Sequence, residues 1–195
     1  MSTDFTAIHP DTAVSPDFAI CSGRPVSETG RLPREILVYD FLDKLSIPYE
    51  RVDHAPANTI EACRDIDQAL QVNMCKNLFL CNAQASNFYL LLLPGDKKFR
   101  TSVFSKQMGC SRLSFADAAH MEEFLSISPG SVSVLGLMND KEHRVKLAID
   151  RELLHAPFLG CHPCVNTSSL KIKTADILEK FLPAVEHDFT VVDLP

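Results

Sequence analysis

Apolar positions along this chain switch between a helical period and short continuous runs. In Arg34–Ser46, Leu37, Phe41 and Leu45 recur at four-residue spacing with Val38 and Leu42 beside them. That pattern predicts an amphipathic helix, and Pro33 suits its first turn. Tyr49–Asp53 reads as a short strand. Thr59 predicts the cap of a second helix running to about Leu70. Asn77–Cys81 and Phe88–Leu93 are apolar and strand-like, with Asn82–Asn87 as the hairpin loop between them. Pro94-Gly95-Asp96 closes the second strand with a turn. A short helix is predicted over Thr101–Met108, ending at Gly109. A strand at Arg112–Phe115 and a helix over Ala116–Leu125 follow. Val132–Met138 and Val145–Ile149 are expected to form a hairpin around Asn139–Glu142. Asp150–His155 reads as a helical turn, and Phe158–Cys164 and Ser169–Ile172 as the last central strands. Thr174 is placed to cap a C-terminal helix through about Phe181, and Phe189–Val192 to form an edge strand.

The order mixes hairpins with helices instead of alternating strictly. It predicts a mixed α/β (α+β) fold: a single domain with a central mixed, mainly antiparallel sheet surrounded by helices, not a doubly wound one. Residues 1–33 have no sustained period and read as a partly ordered N-terminal extension. The domain is expected over 34–195. A length of 195 residues suits one well-packed domain.

Charge and cysteines narrow the setting. No apolar run reaches the roughly 18–20 residues of a membrane helix, and Met1–Ile20 lacks the pattern of a signal peptide. A cytoplasmic protein is expected, with no membrane partner. The seven cysteines have no regular spacing and are expected to be reduced. A net charge of −6 argues weakly against nucleic acid as the main partner but leaves room for a local basic face. Lys97, Lys98, Arg100, Lys106 and Arg112 form one basic group, and Lys141, Arg144 and Lys146 a second. Such groups are ordinarily solvated surface.

Two segments carry candidate chemistry. Lys76-Asn77 opens an apolar run. A lysine there is ordinarily a solvated end charge, but its ammonium can bind a phosphate or ribose oxygen as a point charge. Gly160-Cys161-His162-Pro163-Cys164-Val165-Asn166 is a Gly/Pro loop whose backbone can approach a ligand closely. Its polar groups could position a water or an oxyanion. The C-x-x-C spacing of Cys161 and Cys164 is that of thiol oxidoreductases. That chemistry places the first cysteine at a helix N-terminus, however, and no helical period begins before about Thr174. Zinc would require ligands beyond this pair, and no second C-x-x-C occurs. There is no G-x-S-x-G, P-loop or G-x-G-x-x-G. Any hydrolysis would rely on positioning and on groups of the substrate.

From about Glu35 to Leu194 the sequence resembles the YbaK/ProX family, free-standing relatives of the editing domain of bacterial prolyl-tRNA synthetases. The matching residues run in order: His54-Ala55-Pro56, Thr59 and Glu61, Lys76-Asn77-Leu78-Phe79-Leu80, Pro94-Gly95-Asp96, Arg112–Ala116, Ser128–Val132, Leu137–Arg144, Gly160-x-His162-Pro163, Val165-Asn166-Thr167 and Thr174–Asp176. The resemblance is strongest to the ProX branch, which removes alanine mischarged onto proline tRNA. It implies a mixed-sheet domain with one small pocket, no cofactor, no metal and no protein nucleophile. Lys76 would hold the terminal adenosine or its phosphate, and Asn77 and Arg112 would support the nucleotide end. The loop of Gly160, His162 and Pro163 would line the aminoacyl site and place the water, with a ribose hydroxyl of the substrate assisting. Thr59 and Asn166 are further substrate-binding candidates, and Ile60 is a candidate wall for setting pocket size. Aminoacyl-tRNA is the implied partner, with prolyl-tRNA synthetase a possible second, and a monomer or weak dimer is expected. Cysteine, serine or threonine esters are the alternative substrates. A non-catalytic aminoacyl-tRNA or protein-binding module is the alternative class. Cys161 and Cys164 stand where the family has larger apolar residues.

Overall fold

A computed structural model describes residues 18–56 and 60–195, the side chains of residues 60–62 excepted. Thr59 therefore lies outside the described residues, and for Ile60 only the backbone is described. Five strands form one sheet in the order β5 (Leu113–Phe115), β3 (Lys76–Asn82), β4 (Phe88–Leu93), β6 (Val145–Asp150), β9 (Phe189–Val192). Four form a second in the order β1 (Ile20–Ser22), β2 (Tyr49–Asp53), β8 (Ser168–Lys173), β7 (Phe158–Cys161). The helices are α1 (Pro33–Lys44), α2 (Ile60–Leu70), α3 (Thr101–Gln107), α4 (Ala118–Leu125) and α5 (Arg151–His155). A C-terminal helical stretch continues from Thr174 through Ala184 with a π-helical middle.

The mixed α/β architecture is the one expected from the order of elements, and most strand pairs are antiparallel. The strands divide into two sheets, and a single parallel bridge, Met74↔Gly160, stitches one to the other. The hairpin expected at Val132–Ile149 does not form. Val134–Asn139 is a 3₁₀ helix, and β6 instead pairs parallel with β4. A parallel neighbour requires a long crossover, which the chain from Pro94 to Arg144 supplies. The apolar run at 134–137 is buried all round, so period alone could not tell strand from helix.

Helix α1 also turns differently from its four-residue stripe. Leu37 is 52% exposed, while Glu35, Val38, Tyr39 and Leu42 face inward. The buried polar atoms there are partnered. The Tyr39 hydroxyl donates to Glu35 at 2.8 Å, and Arg31 pairs with both Glu35 and Asp53. Upstream, β1 pairs with β2, so residues 20–22 belong to the second sheet.

The β3–β4 hairpin forms where the sequence places it. Asn82 Oδ1 accepts the amides of Ser86 and Asn87 at 2.9 and 3.0 Å, so a side chain organises the turn. Strand alternation sends Cys75, Phe79 and Cys81 into the large core between the sheets. It sends Leu80, with Leu78 beside it, into a smaller core beneath α3.

Candidate active site

The bridge at Met74 and Gly160 sets the geometry of the site. The amide of Cys75 donates to Gly160 O at 3.1 Å. Two glycines make room for this junction. A Cβ on Gly160 would stand 2.7 Å from Met74 Sδ and 3.0 Å from Met74 Cα. A Cβ on Gly95 would stand 2.5 Å from Met74 O, a backbone atom. Gly95→Ala is therefore expected to cost about 1–3 kcal/mol of stability. The denaturant midpoint reads this directly, and an unchanged midpoint would mean that the 94–96 turn yields freely.

From that bridge both strands run on in parallel phase. One residue further on each side, Cys75 and Cys161 enter the core. Two residues further stand Lys76 and His162, which alternation places on the opposite face. The register thus puts Lys76 and His162, 86 positions apart in sequence, each two residues beyond the same bridge.

Lys76 is half-buried, and its ammonium donates to the carbonyl of Lys97 at 2.7 Å. It makes no ion pair with a described carboxylate, so its charge is held by a dipole and is available to an anion. Lys97 itself is clamped: its Nζ reaches Asp150 Oδ1 at 3.0 Å, Glu152 at 2.7 Å and Leu194 O at 2.8 Å.

His162 opens the β7–β8 loop. Its Nδ1 donates to Ser168 O at 3.0 Å, which leaves Nε2 as the acceptor in the neutral ring. A second histidine, His54 at the end of β2, stands with ring centroids 6.3 Å away. Its Nδ1 donates to Ala55 O at 2.8 Å, and its Nε2 accepts the buried Ser169 hydroxyl at 2.9 Å. Burial pushes both rings below the ordinary histidine value of 6.5. For His162 the bond to Ser168 opposes the shift, and the neighbouring His54 adds to it. Both are therefore neutral at neutral pH. His54 stood in the sequence only as part of a matching tripeptide. Its spacing from His162 gave no sign that the two rings meet.

Other expected residues fall elsewhere. Asn77 points to the Cys75 side of β3, where its Nδ2 donates to Cys75 O at 3.1 Å, and its Oδ1 is buried without a partner. It does not share a face with Lys76. Arg112 precedes Leu113, which pairs with Asn82 at the far end of β3. Six strand residues separate Asn82 from Lys76, about 20 Å. The structure does not bring Arg112 to the Lys76–His162 site. Pro163 is buried in the loop core, and Asn166 Nδ2 lies 3.6 Å from where a Cβ of Gly130 would stand. Asn166 thus faces the Pro129-Gly130 turn.

The Cys161–Cys164 pair is buried and unbonded. Burial raises the Cys161 thiol well above its ordinary value of 9.0, with Cys75 and Cys164 adding to the effect. It pushes Cys164 up to about 12 and Cys75 up to about 11. These are inert core thiols, the reverse of the depressed, accessible thiol that exchange chemistry uses.

The site of this mixed α/β domain thus holds a lysine without a carboxylate partner among the described residues and, two residues past the same bridge, a histidine packed near a second one. Comparison with known proteins sharpens this. Residues 54–180 match the family model of the aminoacyl-tRNA editing domain. The chain is 31% identical over 153 residues to the prolyl-tRNA editing protein ProX of Acetoanaerobium sticklandii, covering 78% of this chain and 93% of that one. It is 30% identical over 150 residues to the prolyl-tRNA synthetase associated domain-containing protein 1 of Danio rerio, covering 76% and 80%. A structure solved as a candidate trans-editing enzyme for prolyl tRNA synthetase superposes with a TM-score of 0.63 at 15% identity, over 84% of this chain and 97% of that one. The chain belongs to the aminoacyl-tRNA editing domain family, and it is an aminoacyl-tRNA deacylase. Among the described residues no helix is long and apolar enough to cross a membrane.

Proposed function

We propose that the chain hydrolyses mischarged aminoacyl-tRNA in trans, with alanine on proline tRNA as its substrate, in the cytoplasm beside prolyl-tRNA synthetase. The observation that supports this reading is the Met74–Gly160 bridge, two residues beyond which stand Lys76 on one strand and His162 on the other. Lys76 leaves the Lys97 carbonyl for the phosphate or ribose of the terminal adenosine. His162, neutral and with Nε2 unprotonated, orients the attacking water, and a ribose hydroxyl of the substrate assists. A synthetase built for proline rejects the smaller alanine by only about 1–3 kcal/mol per missing methylene. A separate site that hydrolyses the alanyl ester closes that gap. Ile60 and the apolar side of the α2 helix stand as the candidate wall that excludes proline.

The test is release of alanine from Ala-tRNA(Pro), with Pro-tRNA(Pro) and Cys-tRNA(Pro) alongside. Loss of alanine with proline spared is expected, and hydrolysis of none of the three would sink the reading. The pH profile adds a second check. Only neutral His162 can orient water through Nε2, so kcat/KM should climb with pH through an apparent pKa below 6.5 and be flat above it. An ascending limb centred above 6.5 would contradict this role.

A further inference from the structure

We propose that the face formed by α3 and β5 binds the phosphodiester backbone and one unpaired base of the tRNA, on the same side of the sheet as Lys76. This rests on the reading of the substrate as an aminoacyl-tRNA and names a surface for the part of it beyond the ester.

Three independent observations meet on this face. The first is an orphaned hydroxyl. Ser105 is 6% exposed and its Oγ has no partner. A buried hydroxyl left unpaired costs free energy, which an acceptor or donor in the adjoining cleft would recover once the Oγ turns toward it. Ser105 lines a cleft of about 660 Å³ with Thr101, Ser102, Lys106, Arg112 and Leu113.

The second is charge without counter-charge. That lining has three hydroxyl side chains and two cations and no carboxylate. Lys98, Arg100, Lys106 and Arg112 are all exposed, and none pairs with a carboxylate among the described residues. Elsewhere the arginines of this acidic protein are nearly all paired, as Arg24, Arg31, Arg34, Arg51, Arg144 and Arg151 show. Unpaired cations beside hydroxyl donors suit a chain of phosphates.

The third is an exposed aromatic. Phe115 is 63% exposed on the edge strand β5, with its ring edge-on to Phe99 at 6.3 Å. A Phe held open in this way beside cations is a stacking platform for a base. Phe115 pairs with Leu80, and Leu80 shares the α3 face of β3 with Lys76. Four strand residues separate the two positions, about 13 Å. A strand of nucleic acid leaving Lys76 over the 97–100 segment, whose Lys97 carbonyl holds the Lys76 ammonium and whose Phe99 ring touches Phe115, reaches Phe115 first and the cation-lined cleft next. Arg112, too far away to serve the ester, acquires a role here.

The experiment is binding of uncharged tRNA to the full chain at several salt concentrations, which needs no catalysis. Wild type is compared with Ser105→Ala, Lys106→Glu and Phe115→Ala, each checked by thermal unfolding. Ser105→Ala is expected to weaken binding about tenfold while keeping or raising the unfolding midpoint, an opposition that a merely structural serine would not show. Phe115→Ala is expected to weaken binding about tenfold. Lys106→Glu should lower the magnitude of the log–log salt slope by about 1. Wild-type affinity and salt slope in all three variants would overturn the proposal. So would weakened binding to polyglutamate with tRNA binding unchanged, which would make the face a protein-docking surface. If the binding effects appear but wild type fails to hydrolyse Ala-tRNA(Pro), the proposed substrate falls and this surface stands.

Discussion

Lys76→Ala is expected to abolish most deacylation while leaving the fold intact. The side chain is half-buried at the entry of β3 and makes one hydrogen bond, to the carbonyl of Lys97. Truncation returns that carbonyl to water or to the clamped Lys97 turn, so stability should change little. The loss falls on the substrate. A hydrogen bond to a charged group is worth about 1.5–3 kcal/mol, so kcat/KM should drop on the order of 10- to 150-fold. Lys76→Arg is a sharper probe. A guanidinium keeps the charge but is a planar fork on a longer reach, and recovery of less than a tenth of the activity would show that position, not charge alone, is used. Near-wild-type hydrolysis by Lys76→Ala with an intact fold would remove the lysine from the mechanism. The binding-module alternative would then gain.

How much of this was legible in the sequence depends on the range of the interaction. Local signals were reliable where one force dominated. The short continuous apolar run of Phe88–Leu93 and the turn residues of Asn82–Asn87 specify the β3–β4 hairpin, because run length and turn chemistry act within a few residues. The 3₁₀ helix at Val134–Asn139 was not legible, because a segment buried on every side carries no period. Nor was the parallel partner of β6, which topology sets over some fifty residues. At the site, the resemblance selects Lys76 and His162, and the bridge at Gly160 gives them matching positions on neighbouring strands. His54 carries no signal of its own in the sequence, since the β2–β8 pairing that delivers it is long-range. The resemblance implies that Asn77 supports the nucleotide end beside Lys76, yet adjacent strand residues face opposite ways. The unpaired Ser105 hydroxyl is a property of packing and leaves no trace in composition.

Asp150→Ala is expected to be the most destabilising single change proposed here. The carboxylate is fully buried. Its Oδ1 pairs with Lys97 at 3.0 Å and caps α5 by accepting the Glu152 amide at 3.0 Å, and its Oδ2 accepts the Leu194 amide at 3.1 Å. Lys97 in turn donates to Leu194 O. One acid thus ties together the turn after β4, the start of α5 and the chain beyond β9. Removing it leaves an ammonium only 12% exposed with the half-exposed Glu152 as its remaining partner. It also orphans two backbone amides. Breaking a buried pair from one side costs about 3–5 kcal/mol, which for a chain of this size lowers the unfolding midpoint on the order of 10 °C. The double change Lys97→Met with Asp150→Leu should recover part of the loss, because it removes both charges together. Activity provides the link to function. The carbonyl that holds Lys76 belongs to Lys97, so Asp150→Ala should lower kcat even at temperatures where the variant is fully folded. An unfolding midpoint within 2–3 °C of wild type, roughly the effect of 1 kcal/mol, would show that solvent replaces this network at little cost. It would also remove the proposed connection between the C-terminal chain and Lys76.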